Sequence, residues 1–130
     1  MPSRVLIVDD NPPNIALAGY VLNAAGFQVD SAGDGAQALI RIAARRPELI
    51  LMDIQMPGVD GLELTRRLKA DAATRDIVIV AFTAYAMKGD EARMRAAGCD
   101  GYLSKPIDVA TFAASVQDFL DKGARRPASD

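Results

Sequence analysis

Arg4-Val-Leu-Ile-Val8-Asp9-Asp10-Asn11-Pro12-Pro13 reads as a strand that runs into the start of a helix. An unbroken apolar run such as Val5 to Val8 is what strands covered on both faces show. Asn11 suits a helix N-cap, and the prolines fit the first turn that follows. From Pro13 to Ala25, Ile15, Ala18, Leu22 and Ala25 recur at helical spacing, and Gly26 marks the stop. The same strand-then-helix unit recurs along the chain. Phe27 to Ala32 alternates as an edge strand would and precedes a turn at Gly33-Asp34-Gly35; a helix over 35–46 turns Ala38, Leu39 and Ile42 inward. Glu48 to Met52 is a second buried strand, closed by Asp53, before a helix over 58–70 with Gly61, Leu64 and Leu68 on one face. Ile77 to Phe82 is the most apolar strand, followed by a helix over 86–97 and a short strand, Gly101 to Ser104. The last helix, 108–120, takes Asp108 as N-cap and carries Val109, Phe112, Val116, Phe119 and Leu120 as its stripe. One domain over residues 1–121 is expected, with 122–130 as a polar, disordered tail.

Composition narrows the chemistry. With 130 residues, half hydrophobic and a quarter charged, the chain can bury one core. Its longest strongly apolar run falls far short of the ~20 residues that span a bilayer, and no secretory leader is visible, so no membrane role is expected. Fifteen Lys plus Arg against 17 Asp plus Glu give a net charge of −2, poor footing for binding nucleic acid. The single cysteine, Cys99, fits a reducing compartment, the cytoplasm, and a packing role; Met52, Met56, Met87 and Met94 read as packing residues too. There is no histidine, which excludes Ser-His-Asp and Cys-His mechanisms and any His metal site.

Five strands alternating with five helices require right-handed crossovers and a parallel α/β sheet. The C-terminal ends of its strands share one rim, where such sheets bind ligands. Asp9 and Asp10, Asp53, Thr83, and Ser104-Lys105-Pro106 all fall at those ends. Taken singly, an aspartate after a strand is most often a helix cap and a loop lysine is most often solvated. Together they make a site. Clustered carboxylates raise one another's pKa unless cations intervene, so Lys105 and a Mg2+ ion are expected beside them. Asp53 is then a candidate carboxylate nucleophile, with Thr83 and Lys105 placed to stabilise a transferred phosphoryl group. A Mg2+-dependent phosphohydrolase and a structural or flavin-binding α/β module remain open on these residues alone.

Val8-Asp9-Asp10-Asn11, Met52-Asp53-Ile-Gln-Met-Pro57-Gly58-Val-Asp60-Gly61, Ala81-Phe-Thr83-Ala84 and Gly101-Tyr102-Leu-Ser-Lys105-Pro106 resemble the signature segments of two-component response-regulator receiver domains. The resemblance spans about residues 4 to 120. It implies a (βα)5 flavodoxin-like fold with strand order 2-1-3-4-5. It further implies that Asp53 takes a phosphoryl group from a phosphohistidine of a histidine kinase or histidine phosphotransfer protein. Mg2+ would be bound by Asp10, Asp53 and the backbone carbonyl of Gln55, with Asp9 acting through a water. Thr83 and Lys105 would hold the phosphoryl oxygens. Tyr102 would be the aromatic switch coupled to Thr83, reshaping the face of the fourth helix, fifth strand and fifth helix for a downstream protein. The Lys105-Pro106 bond would be cis, where the residues alone favour trans. Such a protein is a signalling switch, catalysing only its own phosphorylation and slow dephosphorylation. The missing histidine then belongs to the donor. The segment Tyr85-Ala-Met-Lys-Gly-Asp90 is shared by single-domain regulators and by receivers carried in hybrid histidine kinases, while Gln55 and Tyr85 stand where the family tunes the phosphoryl lifetime.

Overall fold

A computed structural model describes residues 3–54, 61–83, 88–105 and 107–124 of the chain. Its strands are β1 (Arg4–Val8), β2 (Gln28–Ala32), β3 (Leu49–Asp53), β4 (Val78–Thr83) and β5 (Gly101–Ser104). Between and after them run α1 (Pro12–Ala24), α2 (Gly35–Ala44), α3 (Gly61–Ala70), α4 (Lys88–Ala97) and α5 (Phe112–Ala124). The sheet order is β2-β1-β3-β4-β5, with every pairing parallel, as expected. β2 is an edge strand, in keeping with its alternating sequence. The central strands β1, β3 and β4 are buried along nearly their whole length, as continuous apolar runs require.

Two apolar layers sandwich the sheet. On one face Leu6, Ile50, Met52 and Ile79 meet Ile42 of α2, Leu64 and Leu68 of α3 and Met94 of α4. On the other, Val5, Ile7, Leu51 and Val80 meet Ala18 and Leu22 of α1 and Phe112, Val116 and Leu120 of α5. Among the described residues no helix is long and apolar enough to cross a membrane.

Helix ends follow local chemistry. The Asn11 side chain accepts from the Asn14 N–H at 3.1 Å and that of Asp34 accepts from the Gln37 N–H at 2.8 Å, capping α1 and α2. At the far end of α1, Gly26 adopts φ 98°, its N–H donates to the Asn23 carbonyl, and the Phe27 N–H donates to the Leu22 carbonyl. That is a Schellman stop, and it keeps Phe27 out of β2 while burying its ring.

Several expected positions differ. Ala25, expected on the inner face of α1, is the helix's exposed C-cap. Leu39 is 44% exposed, because α2 covers the edge of the sheet and leaves an open groove towards the end of α3. Val109 is 60% exposed, because residues 109–111 form a turn headed by Asp108 and α5 begins only at Phe112. α5 also continues to Ala124, so residues 122–124 are its last turn and not a tail. The proposed tail beyond them, the loop with Met56, Pro57, Gly58 and Asp60, and the segment with Ala84, Tyr85 and Met87 lie outside the described residues.

Candidate functional site

The ladder register brings the candidate residues to one rim. Val8 pairs with Ala32 and Met52, Asp53 with Phe82, and Thr83 with Ser104, so the next residue of each strand emerges on the same edge. Asp53 and Thr83 are themselves the last residues of β3 and β4, and both are buried. Asp9, directly after β1, is fully buried: its N–H donates to the Ala32 carbonyl at 3.0 Å and its Oδ1 accepts the Asn11 N–H at 2.9 Å. Asp10 beside it is exposed. Lys105, directly after β5, donates its N–H to the Thr83 carbonyl at 2.8 Å, which anchors its backbone to the end of β4.

The Lys105 side chain closes the group. Its Nζ lies 3.0 Å from Asp9 Oδ2 and 3.2 Å from Asp53 Oδ2, with only 16% of the side chain exposed. One carboxylate oxygen from each of Asp9, Asp10 and Asp53 lies within 4.8 Å of the others. Three acids, Asp9 and Asp53 buried and Asp10 exposed, gather beside one ammonium, and like charges so close favour a further cation. Asp9 Oδ2 adds a specific sign, since it is buried without a hydrogen bond; the Lys105 ammonium is near it but poorly aligned. An all-oxygen set with an unsatisfied buried lone pair fits a hard divalent cation such as Mg2+.

Gly61, the first residue of α3, packs against the end of β3. A Cβ there would meet the Asp53 backbone oxygen at 2.5 Å and Ile54 Cα at 2.9 Å, so only glycine lets α3 start this close to Asp53. Sequence reasoning placed Gly61 in a helix stripe and missed this. It also missed Phe82, whose ring centroid lies 5.1 Å from Lys105 Nζ; in the sequence Phe82 is one more apolar strand residue.

Tyr102 is not in the acidic cluster. It pairs with Ala81 in the ladder, is 37% exposed, and borders a hollow of about 370 Å3 with Met94, Arg95, Cys99 and Phe119 among its walls. Gln55 and Pro106, expected to give a metal-binding carbonyl and a cis bond, lie outside the described residues. Cys99 is a core residue, and burial pushes its thiol up to about 11, against a hydrogen bond with Thr65 that lowers it.

A second, partly buried cluster was not legible. Lys69 Nζ donates to the carbonyls of Arg75 at 3.1 Å and Ile77 at 2.8 Å and to Asp100 Oδ2 at 2.9 Å. The same Asp100 oxygen accepts the Ile79 N–H at 2.8 Å. On sequence, Lys69 is an ordinary last-turn helix lysine.

Comparison with known proteins bears on the family and the fold. The family model described as "Response regulator receiver domain" matches residues 5–117. The chain is 46% identical over 120 residues to the polar-differentiation response regulator DivK of Brucella anthropi, covering 92% of this chain and 98% of that protein. Among solved structures, the chemotaxis protein CheY4 of Vibrio cholerae superposes with a TM-score of 0.87 at 26% identity, over 92% of this chain and 99% of that one. The signal receiver domain of a signal transduction histidine kinase from Syntrophus aciditrophicus superposes with a TM-score of 0.83 at 28% identity, over 98% and 97% of the two chains.

Proposed function

Because this chain belongs to the response regulator receiver domain family of two-component signalling, we propose that Asp53 is its phosphoacceptor and that the rim around it is the phosphotransfer site. The observation that carries the reading is Lys105 Nζ held between Asp9 Oδ2 and Asp53 Oδ2, with Asp10 completing the acid cluster. A carboxylate oxygen of Asp53 attacks the phosphorus of a phosphohistidine on a histidine kinase or phosphotransfer protein. The P–N bond breaks and the imidazole keeps the electron pair. These 130 residues hold no histidine, so the donor imidazole lies outside them.

Each residue has a part in this. Asp10, Asp53 and the Gln55 carbonyl, with Asp9 through a water, would hold Mg2+, which supplies positive charge for the transferred oxygens. Lys105 exchanges its contact with Asp53 for one with a phosphoryl oxygen and keeps Asp9 as its second partner. The Thr83 hydroxyl offers a donor to the same group from the end of β4. Tyr102, half out of its hollow, responds to Thr83 and reshapes the α4-β5-α5 face for a downstream protein. Phosphorylation moves that equilibrium only by stabilising one state more than the other. The working compartment is the cytoplasm, where a lone buried thiol such as Cys99 stays reduced. The functional unit is the receiver of residues 1–121, extended by the last turn of α5. The likeness to the kinase-borne receiver supports a second setting, the same switch carried within a hybrid histidine kinase.

Incubation with Mg2+ and acetyl phosphate, or with a phosphorylated kinase domain, tests the assignment against Asp53→Asn. Wild-type protein is expected to incorporate one phosphoryl group at Asp53 and the variant none. Equal labelling of both removes Asp53 as acceptor, and sustained turnover of varied phosphomonoesters supports a phosphohydrolase instead.

A further inference from the structure

The Lys105 ammonium has three N–H donors, and two carboxylates, Asp9 and Asp53, lie within reach of it. Phe82 lies against the same ammonium, with its ring centroid 5.1 Å from Nζ. At that range an aromatic face attracts a cation, yet it offers no counter-charge that an incoming phosphoryl group must displace. The ring is fixed in turn. Phe82 is 1% exposed and packs on Phe112, the first residue of α5, with centroids 5.9 Å apart and planes at 34°. In a close-packed layer neither ring can swing aside without opening a void.

We infer that Phe82 is a positioning residue for Lys105: its ring holds the ammonium at the mouth of the acid cluster and keeps water from beneath it. The inference rests on the reading that Lys105 meets the transferred phosphoryl group. An aliphatic side chain of similar bulk fills the space but does not attract the cation, so the lysine spreads over more positions and meets the phosphoryl group less often. Phe112 acts one step further back, as the brace of the ring.

Two measurements on the full chain decide the matter. In lysine-labelled protein, the Lys105 ε-methylene protons should be shifted upfield by the ring current and should lose that shift in Phe82→Leu; unshifted protons in the wild type overturn the inference. Asp53 labelling by acetyl phosphate with Mg2+ is then timed in wild type, Phe82→Leu, Lys105→Met and the double variant. Phe82→Leu should slow labelling about fivefold, the scale of one cation–π contact, and should slow it no further once Lys105 is Met. Equal slowing in both backgrounds, or none in either, overturns the positioning role and leaves the phosphoacceptor reading intact. Failure of the wild type to label at Asp53 overturns both. If Phe82→Leu does not fold, the wild-type proton shifts decide alone.

Discussion

Lys105 and Lys69 are both partly buried, each with 16% of its side chain exposed and each paired with aspartate, yet their surroundings are opposite. Lys69 is saturated: two carbonyls and Asp100 take its donors, and the Asp100 oxygen it meets also accepts from the Ile79 backbone. The Lys69 ammonium meets one carboxylate, and the cluster ties the end of α3 to the starts of β4 and β5. At Lys105 one cation faces three acids, and a buried carboxylate oxygen has no hydrogen bond. The same residue types at the same depth make a closed clamp in one place and a charge-unbalanced site in the other. Burial does not separate reactive from structural pairs; the balance of charge and of hydrogen bonds does.

One matched substitution exposes the contrast most sharply. Lys105→Met should slow acetyl-phosphate labelling of Asp53 by about 10²-fold or more, the usual cost of removing one preorganised donor from a transition state. Lys69→Met should leave labelling within about twofold, because nothing in its cluster reaches the rim. Rates of acyl-phosphate formation measured side by side check both, and comparable slowing in the two variants would erase the distinction.

Stability should rank the pair by a different rule. Breaking the closed clamp takes the Lys69 ammonium away from Asp100, and Lys69→Met should cost about 2 kcal/mol in urea unfolding, below a fully buried pair because water reaches this one. Mg2+ should not restore that loss. Lys105→Met also destabilises the metal-free protein, by taking the ammonium out of the acid cluster, but here added Mg2+ should recover most of the difference, since binding to the folded state adds stability by mass action. Unfolding curves with Mg2+ and with a chelator separate the cases. Mg2+ bound at the rim should stabilise wild type and Lys69→Met alike, so a gap between these two that Mg2+ closes would count against the acidic rim as the metal site.

The sequence carried these two regions unequally. Asp9, Asp10, Asp53, Thr83 and Lys105 were legible because parallel topology forces strand ends onto one rim, and topology follows from repeated strand-helix alternation. Strand order was not legible from periodicity, which says that a strand is buried and not which neighbours it has; it came from the motif resemblance, and the ladder agrees. Leu39 and Val109 were expected inward because helical spacing assumes a full partner surface, which α2 at the sheet edge lacks and the turn before α5 never presents. The Lys69 clamp and the Phe82 platform escaped notice for a common reason. Each joins residues distant in sequence, Lys69 with Asp100 and Phe82 with Lys105, through contacts that no local pattern encodes.

The smallest expected effect belongs to the closed region and appears only in alkali. Cys99 adjoins Asp100, and burial pushes its thiol up to about 11, with the Asp100 charge adding to the rise while the Thr65 hydrogen bond and Lys69 oppose it. An acid whose pKa is raised on folding contributes stability that is complete below its unfolded value and is lost as pH climbs through the folded one, because the unfolded chain gives up its proton first. The window therefore runs from about 9.0 to about 11. At pH 10 the loss should be about 1 kcal/mol relative to pH 8; it should be absent from Cys99→Ala and so appear in the difference between the two proteins, where the contributions of other alkaline groups cancel. Urea unfolding of the two proteins at both pH values measures it, and maleimide labelling of the folded wild type at pH 8 should be correspondingly slow. A thiol that reacts freely in the folded state would mean that the α4-β5 turn opens readily and that the Lys69 clamp beside it is looser than its hydrogen bonds imply.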